Sequence, residues 1–205
     1  ELQKSNDPVL KMAIELYPVF LKQRELDKER SGELNRLYGE LLDVKQLQNP
    51  DRFVPDANAT LRITYGRIKG YSPADAIYKQ PISTVKGILE KSTGTEPFAT
   101  PQALLDTYQR KDFDRYLHPV LNDVPVAILY NTDTTGGNSG SPVLNGKGEL
   151  IGVNFDRTFE ATINDFAWNE SYSRSIGVDI RYVLWVTGKV YGAQNTIQEI
   201  LRESR

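Results

Sequence analysis

The segment TTGGNSGSPV, residues 134–143, sets Ser139 between glycines and ahead of a proline. Gly136 and Gly137 let the backbone turn so that successive N–H groups point at one spot, as a pocket for a developing oxyanion requires. The N–H groups of Gly137 and Ser139 are the candidate donors, with Asn138 holding the loop between them. Gly140 leaves the serine hydroxyl unobstructed, and Pro142 stands where the next strand can start. The chemistry these residues could do is acyl transfer through a serine nucleophile. A lone G-x-S-G also suits an ordinary hairpin turn, but apolar runs flank this one, VPVAILYN before it and ELIGVNF after it. The segment is not the hydrolase elbow G-x-S-x-G, because Ser141 stands two residues after Ser139. It also fails as a phosphate loop: Gly146-Lys147 would need a glycine at 141 and a hydroxyl residue at 148.

What remains is the pattern G-[DN]-S-G-[SG]-P, which resembles the nucleophile loop of chymotrypsin-like proteases. In that fold the chain order is His, Asp, Ser, and the site lies between two barrels. The sequence holds one histidine, His118, in YLHPVLND, 21 residues before Ser139 and beside a proline. This reads as a loop histidine. Without a base a serine hydroxyl is a poor nucleophile near neutral pH. The expectation is a C-terminal portion of a larger protease, whose base and orienting carboxylate are encoded upstream. A single histidine without clustered acids offers no metal-ligand set, and neither a metal nor an organic cofactor is expected.

The elements that must position the serine fall into two textures. From Asp7 to about Gln48 apolar residues recur at helical spacing: Val9, Leu10, Met12, Ala13, Leu16, Phe20, then Leu34, Leu37, Tyr38, Leu41, Val44. Asp7-Pro8 is a helix start, Pro18 should kink or divide the first helix, and Ser31-Gly32 should separate it from a second. That predicts an antiparallel helical hairpin over 1–52. Beyond it, ATLRITYGRIKGY alternates Leu61, Ile63, Tyr65 with Thr60, Arg62, Thr64, and Gly66 and Gly70 suggest a bulge or turn. ISTVKGIL could continue the sheet, and 101–117 reads as a short helix in a long connection. VPVAILYN, SPVLN, ELIGVNF and SRSIGVDI read as strands, the middle two around a turn at Gly146-Lys147-Gly148. RYVLWVTGKVYG and NTIQEILRE close the chain as helices. The expected fold is mainly β with helices: one chymotrypsin-like β-barrel over 53–205, an N-terminal helical hairpin and a C-terminal helix.

Composition bounds the function. With 25 Lys+Arg against 27 Asp+Glu there is no basic excess for a nucleic-acid or membrane surface. No apolar run is long enough to span a bilayer. Without cysteine there are no disulfides and no thiol chemistry. The sequence starts at Glu1 and its only methionine is Met12, so a longer parent carrying any targeting segment upstream is expected.

Three stretches together resemble one family: PDANATLRITYGRIKGY, VPVAILYNTDTTGGNSGSPVLNGKGELIGVNFD and SIGVDIRYVLWV. They are similar to the bacterial serine dipeptidyl-peptidases of the dipeptidyl-peptidase 7 and 11 type, chymotrypsin-like double barrels with a helical domain inserted between the halves. The resemblance covers most of 55–187 and makes residues 1–52 the end of that inserted domain. It implies Ser139 as acylating nucleophile and Gly137 with Ser139 as oxyanion hole. It also implies that Asp156, after the GVNF strand, anchors the free α-amino group of a peptide, with Asn154 and Phe155 as substrate-binding positions. A carboxylate fixed two residues' length from the nucleophile would limit cleavage to dipeptides. The resemblance makes Arg157 the specificity position: members that prefer Asp or Glu as the second residue have arginine there, and those that prefer bulky apolar residues have glycine. A guanidinium there can hold a carboxylate bidentately. It further implies a homodimeric parent located in the periplasm or at the cell surface, acting on peptides with a free N-terminus.

Other readings stay open at this stage. Arg157 could be an exposed residue pairing with Glu160, and Asp156 a solvated turn acid. Asp133, six residues before Ser139, sits where trypsin-like enzymes place a selector for basic residues, and is read instead as structural, bonding loop N–H groups. A glutamyl-type serine endopeptidase shares such a serine loop, and a protease-like binding module could retain it without catalysis. Asn58-Ala-Thr60 and Asn169-Glu-Ser171 match glycosylation sequons and are assigned no role.

Overall fold

The computed structural model describes residues 6–48 and 60–203; the boundary expected at 52/53 and the sequon residue Asn58 lie outside them. The chain divides into two units, residues 1–61 and 62–205.

The first unit is a single α-helix, α1 (Pro8–Gln48), of 41 residues. The expected hairpin is therefore corrected: Pro18 and Ser31-Gly32 both lie inside one continuous helix. Asp7 caps it, its carboxylate accepting the Val9 N–H at 2.8 Å. Ion pairs at helical spacing run up to the glycine from both sides: Glu25–Lys28 at 2.7 Å, Asp27–Arg30 at 3.7 Å, Glu33–Arg36 at 2.7 Å, and Arg36 with Glu40. A helix-interior glycine costs about 1 kcal/mol, which neighbouring good helix formers offset. No side chain of α1 is buried, so its apolar residues, among them Leu16, Phe20, Leu37 and Leu41, remain on the helix surface.

The second unit begins with a segment that sequence alternation marks as a strand. Residues 61–67 form no ladder strand; a single bridge, Ile68 to Tyr130, ties the segment to the sheet. The Arg67 N–H donates to the Asn131 side chain at 2.6 Å, and the Asn131 N–H returns to the Arg67 carbonyl at 3.2 Å. A Cβ on Gly66 would lie 2.6 Å from Asn131 Oδ1, so only glycine permits this approach. Ile63 and Tyr65 consequently face outward.

The regular elements follow as β1 (Tyr71–Ala74), β2 (Ile77–Lys79), β3 (Ile82–Thr84), α2 (Val85–Lys91), α3 (Gln102–Gln109), β4 (Pro125–Tyr130), β5 (Pro142–Leu144), β6 (Leu150–Arg157), β7 (Ser175–Asp179), α4 (Ile180–Trp185) and α5 (Gln194–Glu203). ISTVKGIL thus splits into β3 and α2, the helix starting where the buried Asp123 carboxylate accepts the Lys86 N–H at 3.0 Å. β1 and β2 form a hairpin, and the other strands form one antiparallel sheet in the order β3-β4-β7-β6-β5. Among the described residues the sheet is open, with the three-residue strands β3 and β5 as its edges. The protein is mixed helix and antiparallel sheet, helix outweighing strand because α1 alone supplies 41 residues. An apolar cluster of Val85, Leu104, Tyr116, Val124 and Trp185 packs α2, α3 and α4 together, with Trp185 Nε1–H donating to the Asp112 carbonyl at 2.9 Å. Among the described residues no helix is long and apolar enough to cross a membrane.

A continuous α1 makes a direct prediction. A Cβ on Gly32 meets nothing within 4 Å and its φ is not positive, so Gly32→Ala should raise helix stability by about 1 kcal/mol. Denaturant unfolding of the protein monitored by circular dichroism would read this; a loss of stability would restore the hairpin turn.

Candidate active site

The serine loop lies between β4 and β5, and its own polar groups hold its shape. The Asn138 side chain accepts the Thr135 N–H at 3.0 Å, and the Asn138 N–H returns to the Thr135 carbonyl at 3.3 Å. The Ser141 N–H donates to the Asn138 carbonyl at 3.1 Å. Gly137 and Gly140 take φ of +95° and +86°, a region that side chains rarely enter, which is why glycine flanks the Asn138-Ser139 pair. Gly140 N–H donates to the Asn154 carbonyl at 2.8 Å, and Asn154 N–H to the Ser141 carbonyl at 2.9 Å, so the loop is laced to β6. Upstream, the buried Thr134 hydroxyl meets the Ser175 hydroxyl at 2.6 Å, pinning the exit of β4 to β7. The N–H groups of Gly137 and Ser139 make no hydrogen bond among the described residues, and the Ser139 side chain is exposed. This gives an accessible hydroxyl beside two free donors.

β6 supplies the facing wall, and its register is irregular. Asn154 pairs with Gly177, but Asp156 pairs with Ile176 and Arg157 with Ser175, leaving Phe155 as an extra residue. A bulge of this kind re-aims the side chains that follow it. In a regular strand Asp156 would share the buried face of Asn154; here it is exposed. The Phe155 carbonyl, outside the ladder, accepts the Ser139 hydroxyl at 3.2 Å.

The residues singled out by sequence are thus distributed as follows. Ser139, Gly137 and Asn138 form the loop, and the exposed Phe155 and Asp156 stand on the bulged end of β6 with Arg157. Asn154 differs from expectation: it is 5% exposed, its Oδ1 accepts the Tyr130 hydroxyl at 2.6 Å, and its Nδ2 donates to the Asn138 carbonyl at 3.2 Å. Both ends of the amide are used within the protein, so it is corrected from a substrate contact to an internal one. His118 is occupied in its own turn, where Nδ1 accepts the N–H groups of Val120 and Leu121, each at 3.2 Å. Asn138, not Asp133, bonds the loop N–H groups; Asp133 contributes its own N–H to the Thr64 hydroxyl at 3.2 Å. Among the described residues no group of three or more His, Asp or Glu could hold a metal ion.

Arg157 does not pair with Glu160. The Glu160 carboxylate is taken by the Tyr71 hydroxyl and by Lys79, at 3.1 Å from Nζ. Arg157 instead holds Asp165 bidentately, at 2.8 and 3.0 Å, while Asp156 Oδ1 accepts the Arg157 N–H at 2.8 Å. Asp165 was not foreseen: it ends the 3-10 turn Phe159–Asp165, eight residues on, and no spacing rule connects it to a strand arginine. Its contact uses one edge of the guanidinium and leaves the Nε side for a second carboxylate. The Arg157 hydrogen bonds hold the Asp165 pKa below the usual aspartate value. The sign follows: the pair is complete above the ordinary aspartate range and is lost only as pH falls through the lowered value. In Arg157→Ala the Asp165 midpoint, followed by carboxyl carbon NMR, should move up; an unchanged midpoint would show that the pair does not form in solution.

Residues 1–201 match the family Peptidase S46. An Asp/Glu-specific dipeptidyl-peptidase of Shewanella putrefaciens is 40% identical over 223 residues, a match that covers 97% of this chain and 30% of that protein. The crystal structure of Porphyromonas endodontalis DPP11 in complex with substrate has a TM-score of 0.81 at 35% identity, covering 98% of this chain and 30% of that one. The same protein in complex with the dipeptide Arg-Asp has a TM-score of 0.71 at 42% identity, over 77% of this chain and 23% of that one. The chain therefore spans less than a third of the length of these relatives. With the serine loop, the bulged acid-arginine strand and a family match along nearly its whole length, the chain belongs to the peptidase S46 family.

Proposed function

We propose that this chain supplies the nucleophile half of a serine exopeptidase that releases dipeptides from peptide N-termini and prefers Asp or Glu as the second residue. The observation that carries this reading is the exposed Ser139 hydroxyl beside the N–H groups of Gly137 and Ser139, unbonded among the described residues, facing the bulged strand that bears Asp156 and Arg157. The Ser139 hydroxyl would leave the Phe155 carbonyl, and its oxygen would attack the carbonyl carbon of the second residue, its proton passing to a base. The oxyanion would sit between the two N–H groups, the amine would leave protonated, and water would then release the dipeptide from the ester. Asp156 would pair with the substrate α-ammonium and Arg157 with the second residue's carboxylate, roles that mark the two ends of a dipeptide. The base is proposed to lie outside these 205 residues, because the only imidazole is His118 and its Nδ1 is committed to two backbone N–H groups.

The other assignments rest on the family. Residues 53–205 are proposed as the C-terminal half of a chymotrypsin-like double barrel and residues 1–52 as the end of an inserted helical domain. The intact enzyme is proposed to be a homodimer acting on peptides in the periplasm or at the cell surface. The Asp/Glu preference is supported by Arg157 and by relatives whose names and bound dipeptide carry acidic residues.

In the full-length protein, Ser139→Ala should lower the release of Xaa-Asp and Xaa-Glu dipeptides at least about a thousandfold. Acetylation of the substrate N-terminus should block release; efficient cleavage of the acetylated peptide would identify a glutamyl-type endopeptidase instead. Arg157→Gly should cost about 100-fold in kcat/KM on acidic substrates and improve apolar ones, since a charge-assisted contact to the second residue's carboxylate is lost. If the acidic preference survives, Arg157 is not the selector.

A further inference from the structure

The three strands behind the serine loop carry a hydrogen-bonded chain that ends on the peptide of the nucleophile. Asn154 Nδ2 donates to the Asn138 carbonyl at 3.2 Å, and Asn154 Oδ1 accepts the Tyr130 hydroxyl at 2.6 Å. Tyr130 and Asn154 are both 5% exposed. They belong to β4 and β6, which are not neighbours; β7 runs between them, with Ser175 opposite Tyr130 and Gly177 opposite Asn154. The phenol must therefore cross β7, and it crosses at Gly177. A Cβ there would lie 3.0 Å from the Tyr130 hydroxyl oxygen and 3.1 Å from its Cε1. The orientation of the Asn154 amide is fixed at both ends, because the Asn138 carbonyl can only accept a hydrogen bond. Burial also pushes the Tyr130 phenol well above its ordinary pKa, so that it remains a proton donor.

On the reading that Ser139 is the nucleophile, we propose that Tyr130, Asn154 and Gly177 form a strut that fixes the plane of the Asn138-Ser139 peptide and thereby aims the Ser139 N–H at the oxyanion. A trans peptide is planar, and its carbonyl oxygen and N–H point to opposite sides. Holding the Asn138 carbonyl from Asn154 Nδ2 and from the Ser141 N–H therefore directs the Ser139 N–H the opposite way, where it has no partner within the described residues. The constraint matters because the flanking glycines, at φ +95° and +86°, have no side chains that could brace that peptide, and the Ser141 N–H is the other group that holds its carbonyl. An oxyanion donor acts only if it is already aimed when the charge develops. Asn154 and Tyr130 are thus positioning residues that touch no substrate.

The test uses the full-length peptidase and the variants Asn154→Ala, Tyr130→Phe and Ser139→Ala. Asn154→Ala should lower kcat about 10- to 100-fold, below the loss from deleting a donor outright, and Tyr130→Phe about 3- to 10-fold. KM should change by less than about threefold. A dipeptidyl boronate, which becomes tetrahedral on the serine, should lose affinity in proportion to kcat, while binding of the dipeptide product should hold. Wild-type kcat in both strut variants, with Ser139→Ala inactive, would overturn the strut and leave the nucleophile assignment standing. Activity retained by Ser139→Ala would overturn both. Product binding that falls as far as kcat would show that Asn154 supports the pocket as a whole, and the strut would again be wrong. Should Asn154→Ala fail to fold, Tyr130→Phe, which removes one hydroxyl, carries the same comparison alone.

Discussion

One residue too many in β6, at Phe155, sets how the rest of the site is arranged. Up to Asn154 the strand obeys its pairing with β7, and the alternation of faces sends Asn154 inward. After the slip, Asp156 and Arg157 are offered on a strand that would otherwise have buried one of them. The slip also releases the Phe155 carbonyl from the ladder, and the Ser139 hydroxyl takes it up. A single register shift thus couples the inner face of the strand, which braces the loop, to the outer face, which could bind peptide.

The inner face depends on bare glycine where strands must be crossed. Ile128, Tyr130, Ser175, Gly177, Asp179, Gly152 and Asn154 share it by register. A Cβ on Gly152 would meet the Val178 carbonyl at 2.7 Å and Ile128 Cδ1 at 3.2 Å, just as one on Gly177 would meet Tyr130. The face is also unusually polar, but its polar groups are matched. Asp179 caps α4 and holds Arg181, and Ser175 links Thr132 with Thr134. At the edge of β7, the buried Arg174 spends its guanidinium on the carbonyls of Lys69, Gly70, Glu170 and Ser173, stitching the entry segment to the loop before β7. Such networks favour one arrangement over near neighbours, because each group left unpaired inside would cost about 1–3 kcal/mol.

The electrostatics of the outer face differ in kind. Asp156 and Asp165 both lie close to Arg157, one along the strand and one across from it. Arg157 is therefore already neutralised by Asp165. Lys79, Tyr71 and Glu160 form a separate cluster, with Lys79 Nζ 5.1 Å from the Tyr71 ring centroid, which keeps Glu160 from competing for the guanidinium.

The pieces whose physics is local were legible in the residues alone. The positive-φ glycines around Asn138-Ser139, the strands on either side, the C-terminal helices and the family itself follow from residue types read in order. Helical periodicity located α1 but not its continuity: Ser31-Gly32 has turn chemistry, yet the helix formers and ion pairs on either side offset the cost of Gly32. Alternation likewise marked residues 61–65 as a strand, although strand identity needs a ladder, and among the described residues that stretch forms none. The bulge at Phe155, the inward turn of Asn154, the crossing of β7 by Tyr130 at Gly177, and the claim of Asp165 on Arg157 arise only once the chain is folded. Each depends on how one strand registers against another or how a distant turn folds back, and residues far apart in sequence carry no spacing that encodes such a meeting.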